Sequence, residues 1–91
     1  MEFTWDEEKR RANIIHHGFD FMDAKETFKG FTFTFEDDRF DYGEERFITL
    51  GLLKGTVVVI AHTEKGNEIR LISIRKATKY EQEIYFEGLT D

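Results

Sequence analysis

The sequence contains no cysteine and no proline among its 91 residues. The absence of cysteine excludes disulfide bonds and thiolate metal sites, and it fits the reducing environment of the cytoplasm. The longest apolar run, residues 57–61, is far too short to cross a bilayer. The first residues also lack the basic start and the apolar stretch of a secretion signal. We therefore expect a soluble, cytoplasmic protein that makes no contact with a membrane.

Basic residues are in the minority, with 13 Lys and Arg against 19 Asp and Glu, so the net charge is −6. Residues 1–45 carry 6 basic and 13 acidic side chains, whereas residues 46–91 carry 7 and 6. Because nucleic-acid-binding domains are usually basic, this charge argues against a general nucleic-acid-binding protein. Any contact with phosphate is expected from the C-terminal half, and the acidic half suits a basic protein partner.

Ten phenylalanines supply much of the apolar surface. A chain of this length is expected to form one domain, residues 1–91, and to bury only about 60–65% of its unfolded surface. Large aromatic side chains compensate for the small size because each removes much apolar area from water.

Three helices are predicted from residues that cap helix ends. The capping residues are Asp6 and Gly18 for the first helix, Asp20 and Gly30 for the second, and the capping box Thr78-x-x-Glu81 for the third, which runs to about Glu87.

Strands are predicted where the apolar pattern alternates. A short strand over Glu2–Trp5 and an alternating run of phenylalanines from Phe31 to Phe35 precede three longer segments. These segments are Glu45–Leu53, Thr56–Thr63 and Glu68–Arg75, and their short connections make them antiparallel neighbours. The expected fold is α+β, an antiparallel sheet of four to five strands with two N-terminal helices and one C-terminal helix, the helices lying mainly on one face.

The turns predict a register in which Leu53 faces Thr56 and Thr63 faces Glu68. The face then expected under the helices carries Ile48, Leu50, Leu52, Val57, Val59, Ala61, Ile72 and Ile74. The other face mixes apolar residues with Phe47, Thr49, Gly51, Thr56, His62, Ser73 and Arg75. We expect the functional site on this mixed, helix-free face, although a slip of one residue would exchange the two faces.

Short stretches spread over nearly the whole chain carry a family pattern: FTWDEEKRRAN at 3–13, HGFDF at 17–21, Asp38-Arg39, YGEER at 42–46, Gly51, IRLISIRKAT at 69–78, Glu81 and Tyr85. In this order they resemble the BrnT family of toxin–antitoxin ribonucleases, which share the fold of RelE-type toxins. The resemblance implies an endoribonuclease toxin that cleaves mRNA and thereby arrests translation.

The resemblance also implies a partner similar to the BrnA antitoxin, whose ribbon-helix-helix dimer binds DNA, neutralises the toxin and represses the operon. The toxin would contact DNA only indirectly, through that antitoxin. The resemblance also implies a possible dimer of the toxin within the antitoxin complex. A second hypothesis is a catalytically weak or inactive module that holds the antitoxin in an autorepressing complex on DNA. The acidic first half of the chain favours this second hypothesis over direct capture of RNA.

Metal-free RNA cleavage requires a base for the 2′-hydroxyl proton, a cation for the crowded phosphate and an acid for the leaving oxygen. Arg75 is the first candidate for the phosphate, because a guanidinium offers a fixed fork of donors to phosphate oxygens. Its alternative role is a structural ion pair with Glu81. Lys76, Lys79 and Arg70 are candidates for RNA binding. The alternatives are solvated lysines and, for Arg70 on the opposite face, a structural or antitoxin contact.

His62, His17 and Tyr85 are the candidates for proton transfer. His62 is expected on the mixed face near Arg75, and histidine is the natural acid–base residue near neutral pH. His17 ends the first helix, where an imidazolium also interacts favourably with the helix terminus. Tyr85 would stack on a base, act as an acid or pack the last helix onto the sheet. The acidic segment 36–45 lacks the calcium-loop pattern, and we expect neither a metal nor another cofactor.

Overall fold

The computed structural model describes residues 1–90, so Asp91, the last residue of the predicted domain, lies outside the described residues. The elements in chain order are β1 (Glu2–Thr4), α1 (Glu7–His17), a 3₁₀ turn (Phe21–Asp23), α2 (Ala24–Lys29), β2 (Phe33–Glu36), β3 (Phe47–Leu53), β4 (Thr56–Lys65), β5 (Glu68–Lys76) and α3 (Lys79–Thr90). The predicted α+β class is confirmed, with five strands and three α-helices in this part of the chain. None of these helices has the length and apolar character needed to span a membrane.

Capping contacts confirm both predicted ends of α1 and the predicted start of α3. The third helix continues to Thr90 rather than ending near Glu87, and the second predicted helix begins as a 3₁₀ turn after Asp20. The Asp6 carboxylate accepts hydrogen bonds from the backbone N–H groups of Glu8 and Lys9 at the start of α1. Gly18 ends this helix with a φ of 79°, a left-handed conformation that glycine adopts without steric cost. At α3, the backbone N–H of Thr78 donates to the Glu81 carboxylate and that of Glu81 donates to the Thr78 hydroxyl, which completes the capping box.

The five strands form one sheet in the order β1-β5-β4-β3-β2. The strands joined by short turns, β3 with β4 and β4 with β5, are antiparallel, as predicted. β2 also pairs antiparallel with β3, across the longer connection of residues 37–46. β1 differs, because it pairs in parallel with β5 through Phe3 opposite Ile69. A short hairpin fixes the relative direction only of strands that are adjacent in sequence. Residues 5–67 lie between β1 and β5, so no turn in the sequence indicated the direction of this edge strand.

The register prediction is right for one hairpin and wrong for the next. Leu53 lies opposite Thr56 in the β3–β4 pair, as predicted. In the β4–β5 pair, Lys65 rather than Thr63 lies opposite Glu68. The register then shifts at a bulge, because His62 pairs with Leu71 and its neighbour Ala61 pairs with Ser73. The bulged residue is Ile72, an extra residue on β5 that reverses the alternation of all residues beyond it.

Helices cover both faces of the sheet. Two of the three, α1 and α2, cover the face whose core residues are Leu53, Val58, Ile60, Ile69, Leu71 and Ile74, together with Phe21 and Ala24. The opposite face carries Ile48, Leu50, Val57 and Val59, packed against Ala77 and Tyr85 of the α3 segment. The prediction of a mixed, helix-free face is therefore wrong, because the residues assigned to it divide between two covered faces. Thr49 and His62 lie under the N-terminal helices, whereas Ser73 and Arg75 lie on the α3 face.

Two close contacts fix the N-terminal helices to the sheet. The buried Asn13 amide donates to the carbonyls of Phe19 and Ile74, and its oxygen accepts from the Ile74 backbone N–H. One side chain thus joins α1 to β5. Gly51 on β3 permits the second contact, because a Cβ at this position would lie only 2.6 Å from the Thr27 Cγ2 on α2.

Candidate functional site

A groove of about 230 Å³ opens on the α3 face, where the end of β2 approaches the junction between β5 and α3. Its lining consists of Phe35, Glu36, Asp37, Asp38, Arg39, Ile48, Arg75 and Glu81. Arginines and carboxylates thus surround a small apolar floor. Arg75 lines this groove from the end of β5.

Arg75 is paired with the carboxylate that caps α3. Its Nη1 and Nη2 donate to the two Glu81 carboxylate oxygens at 2.8 and 2.9 Å. These hydrogen bonds are the largest cause that lowers the pKa of Glu81 to about 2, and they raise the pKa of Arg75. The structural ion pair that the sequence left open is therefore present. The Arg75 side chain is nevertheless 38% exposed and lines the groove, so it is not sealed beneath the helix.

A second guanidinium reaches the groove from the segment that follows β2. Arg39 donates from Nε and Nη2 to the two oxygens of Asp37 at 2.8 and 3.0 Å. The Tyr42 hydroxyl donates to the same carboxylate, and the Arg46 guanidinium lies 4.0 Å from the Tyr42 ring centroid. Only 4% of the Asp37 side chain is exposed, and the hydrogen bonds from Arg39 are the main cause that lowers its pKa to about 2.

Arg39 and Arg75 bring two positive charges to one cavity. The charge of Arg39 acts on Arg75 and slightly opposes the increase in its pKa, as expected for neighbouring cations. Each guanidinium is held by a carboxylate, which fixes its orientation in advance. Within residues 1–90, Nε of Arg75 and Nη1 of Arg39 make no hydrogen bond, so donors remain for an incoming anion. The groove therefore presents two guanidinium groups in fixed orientations, among four carboxylates of its own lining: Glu36, Asp37, Asp38 and Glu81.

Arg70 lies on the same face as Arg75, contrary to the prediction. The two residues are five positions apart, which would place them on opposite faces of a regular strand. The bulge at Ile72 restores them to one face. Arg70 donates to both oxygens of Glu44 at 2.9 Å, and Arg46 contacts the same carboxylate at 3.4 Å. The Arg70 side chain thus forms a further cation–carboxylate pair on the α3 face.

His62 does not lie near Arg75, because the two residues occupy opposite faces of the sheet. Its side chain is fully buried between the rings of Phe28 and Phe47, at centroid distances of 5.4 and 6.0 Å. Nε2 is hydrogen-bonded to the Thr49 hydroxyl at 2.7 Å. Burial lowers the pKa of His62 to about 4. The ring has no surface to offer a substrate, so the geometry does not support proton transfer by His62.

Tyr85 and His17 are also apart from the groove lining. Tyr85 is 1% exposed, and its hydroxyl donates to the Phe31 carbonyl at 3.1 Å. Burial raises the pKa of this hydroxyl. Of the three roles considered for Tyr85, packing of the last helix onto the sheet matches this geometry. His17 is exposed at the end of α1, the helix that covers the other face.

The two candidate lysines diverge from Arg75. Lys76 is exposed at the end of β5 opposite Val58, and strand alternation directs it to the face away from Arg75. Lys79 is exposed in the first turn of α3 and lines a shallow surface cavity along that helix rather than the groove. Neither lysine joins Arg75 in the groove lining.

Arg39, Asp37 and Tyr42 were not among the site residues predicted from the sequence. Arg39 is the only basic residue in the acidic segment 36–45. A single arginine among many carboxylates predicts an ion pair, and this pattern could have identified Arg39 from the sequence. No group of three or more side chains suited to a metal ion lies together within residues 1–90.

The fold and the groove together define a small α+β protein in which two carboxylate-paired arginines line one groove. A family model described as the ribonuclease toxin, BrnT, of type II toxin–antitoxin systems matches residues 5–81. The chain therefore belongs to the BrnT toxin family. A type II system pairs its toxin with an antitoxin, and the family description names the toxin a ribonuclease.

A solved structure supports the same assignment. The chain is similar to the crystal structure of the Brucella abortus ribonuclease toxin, BrnT, with a TM-score of 0.72 and 29% sequence identity. The similarity covers 87% of this chain and 99% of that chain. No curated protein sequence matches the chain.

Proposed function

We propose that this protein is a metal-independent endoribonuclease toxin that cleaves mRNA at the groove and so arrests translation. The observation that carries the proposal is the meeting of Arg39 and Arg75 in one open groove of a BrnT family member. RNA cleavage through the 2′-hydroxyl concentrates negative charge on the phosphate in the transition state. Preoriented guanidinium groups stabilise that charge without reorganising during the reaction.

The two arginines are suited to different parts of this task. Arg75 lies on β5, and its guanidinium is held by Glu81, the residue that caps α3. It would therefore provide a rigid donor to the phosphate. The Arg39 side chain is 66% exposed and forms an ion pair with the buried Asp37. It would therefore contact bound RNA from the side of the loop that follows β2. Asp38 lines the same groove and has no ion-pair partner within residues 1–90, which makes its carboxylate the candidate base for the 2′-hydroxyl proton.

The partner in this proposal is a BrnA-like antitoxin with a ribbon-helix-helix fold, through which the complex represses its operon on DNA. A dimer of the toxin within that complex completes the proposal. The acidic first half of the chain supports such a protein partner, since it is suited to a basic surface.

The test is cleavage of a defined mRNA by the purified protein in buffer that contains EDTA, with and without ribosomes. We expect Arg75→Ala and Arg39→Ala each to reduce the rate about 100-fold, the usual cost of one lost transition-state donor. Arg11→Ala is the matched control, because this exposed arginine lies on α1 over the opposite face. Equal cleavage by all four proteins contradicts the proposed site. A lack of cleavage by the wild-type protein in every condition contradicts the proposed activity.

A catalytically weak module that holds the antitoxin is the second candidate. The observation that favours it is the pairing of Arg39, Arg70 and Arg75 with carboxylates of the same chain. RNA must compete with these carboxylates for the guanidinium donors. Expression without the antitoxin separates the candidates, because a nuclease arrests growth in an Arg75-dependent manner whereas a binding module leaves growth unchanged.

A further inference from the structure

β2 leaves one edge of the sheet open. It pairs with β3 on one side, and no other strand within residues 1–90 lies on its outer side. The backbone N–H of Asp37 donates to the Arg46 carbonyl at 2.7 Å, in line with the β2–β3 register. Because antiparallel pairs alternate, Phe33 and Phe35 also direct their backbone groups towards β3. The N–H and C=O groups of Thr34 and Glu36 therefore point outward and are available to another strand.

The open edge lacks several of the usual protections against added strands, because the four-residue β2 contains no lysine, proline or bulge. Native edges are commonly protected by lysine, proline, a bulge or a very short strand. The sequence from Phe31 to Phe35 alternates phenylalanine with threonine and contains no charge. Phe33 and Phe35 are 40% and 44% exposed, and their rings contact each other at a centroid distance of 6.1 Å. The opposite edge of the sheet is the three-residue β1, which offers fewer backbone groups for pairing than β2.

The charge around β2 indicates which partner suits it. Residues 31–45 contain six acidic side chains and one basic side chain. A second copy of this chain would bring two such acidic segments together, which is unfavourable. A basic extended segment meets them with the complementary charge and supplies the missing hydrogen bonds. Such strand addition is a recurrent mode of peptide recognition at sheet edges.

The location of β2 links this edge to the groove. Phe35 and Glu36 lie on the edge strand and also line the cavity that contains Arg75. We propose that a basic, extended segment of the antitoxin adds to the sheet as a sixth strand beside β2 and thereby obstructs the groove. This inference rests on the proposed function, since it assigns the surface by which the antitoxin silences the nuclease.

Glu36 allows the backbone contribution to be measured separately from the charge. Glu36→Pro removes the outward N–H, and an edge position with a solvent-facing N–H tolerates proline. Glu36→Ala removes the carboxylate but keeps the N–H, so it is the matched control. Glu36→Lys keeps the N–H and reverses the charge. Circular dichroism and thermal denaturation report whether each variant retains the wild-type fold.

The experiment measures binding of the purified full-length antitoxin by isothermal titration calorimetry. We expect Glu36→Ala to raise the Kd about threefold, Glu36→Lys more than that, and Glu36→Pro at least about tenfold, consistent with a lost hydrogen bond and a steric clash. If Glu36→Pro misfolds, the comparison of Glu36→Lys with Glu36→Ala decides the question. A larger Kd for Glu36→Lys than for Glu36→Ala supports contact between the antitoxin and the β2 edge, and equal Kd values contradict it.

Each contrary outcome has a distinct meaning. Equal affinity for the wild-type protein and all three variants overturns the inference and leaves the proposed function intact. A wild-type homodimer in light scattering that Glu36→Pro dissociates assigns the edge to a second copy, which also overturns the inference. Absence of antitoxin binding to the wild-type protein contradicts the proposed partner itself.

Discussion

Arg75 and Glu81 join the last strand to the last helix through two parallel hydrogen bonds of 2.8 and 2.9 Å. The same carboxylate accepts from the Thr78 backbone N–H and so caps α3. One side chain therefore fixes the start of a helix and the orientation of the groove arginine. The stability of α3 and the geometry of the candidate site are coupled through this carboxylate.

We predict that Glu81→Gln lowers the free energy of unfolding by about 1–2 kcal/mol at pH 7, the range of a lost cap contact. The pKa of Glu81 is about 2 in the folded protein, against an ordinary value of 4.5. Its stabilising effect is thus complete above pH 4.5 and declines as the pH falls towards 2. Urea denaturation at several pH values measures this decline. The exposed Glu83→Gln on the same helix is the control, and a pH-independent difference between wild type and Glu81→Gln would contradict the ion pair.

The buried His62 predicts a second, separate dependence on pH. Its folded pKa is about 4, below the ordinary 6.5, so the folded state prefers the neutral ring. The contribution of the neutral His62 ring to the free energy of unfolding is therefore complete above pH 6.5. It declines as the pH falls from 6.5 through 4. We expect the wild-type protein to lose about 1–2 kcal/mol between pH 7 and pH 5. His62→Gln should abolish most of this loss, whereas the exposed His16→Gln should retain it in the same urea titrations.

Gly51 predicts a steric effect at the contact between β3 and α2. A Cβ added by Gly51→Ala would lie 2.6 Å from the Thr27 Cγ2 and 3.2 Å from the Thr32 Cγ2. Because Thr27 is buried and short, the backbone must shift, and we expect a loss of about 1–3 kcal/mol. Thr27→Ser removes the methyl group and should recover part of this loss in the double variant. Thermal denaturation of the four proteins provides this double-mutant cycle, and strictly additive effects would exclude the clash.

The sequence predicted those parts of the fold that local chemistry determines. Asp6, Gly18 and Glu81 act within one turn of their own helix, so their neighbours in sequence suffice to place the helix ends. The tight turn at Lys54-Gly55 likewise determines the β3–β4 register. The parallel pairing of β1 and the burial of His62 depend on segments far apart in the chain. No local pattern determines such contacts.

The candidate site was predicted only in part for the same reason. Arg75 and its alternative partner Glu81 are separated by six residues, and both were identified from the sequence. Arg39 reaches the same groove from a different part of the chain, through a loop held by the buried Asp37. A carboxylate in an acidic segment is ordinarily solvated, so its burial became evident only from the packing of the loop against the sheet.

The single extra residue at Ile72 has a consequence for relatives of this protein. The spacing between Arg70 and Arg75 in the sequence does not by itself determine whether both guanidinium groups face the same side. A homologue with the same arginine spacing and a regular strand would divide its cationic surface between the two sides of the sheet. The presence of this backbone irregularity, and not the count of arginines, therefore decides how much positive charge one surface of such a toxin can present.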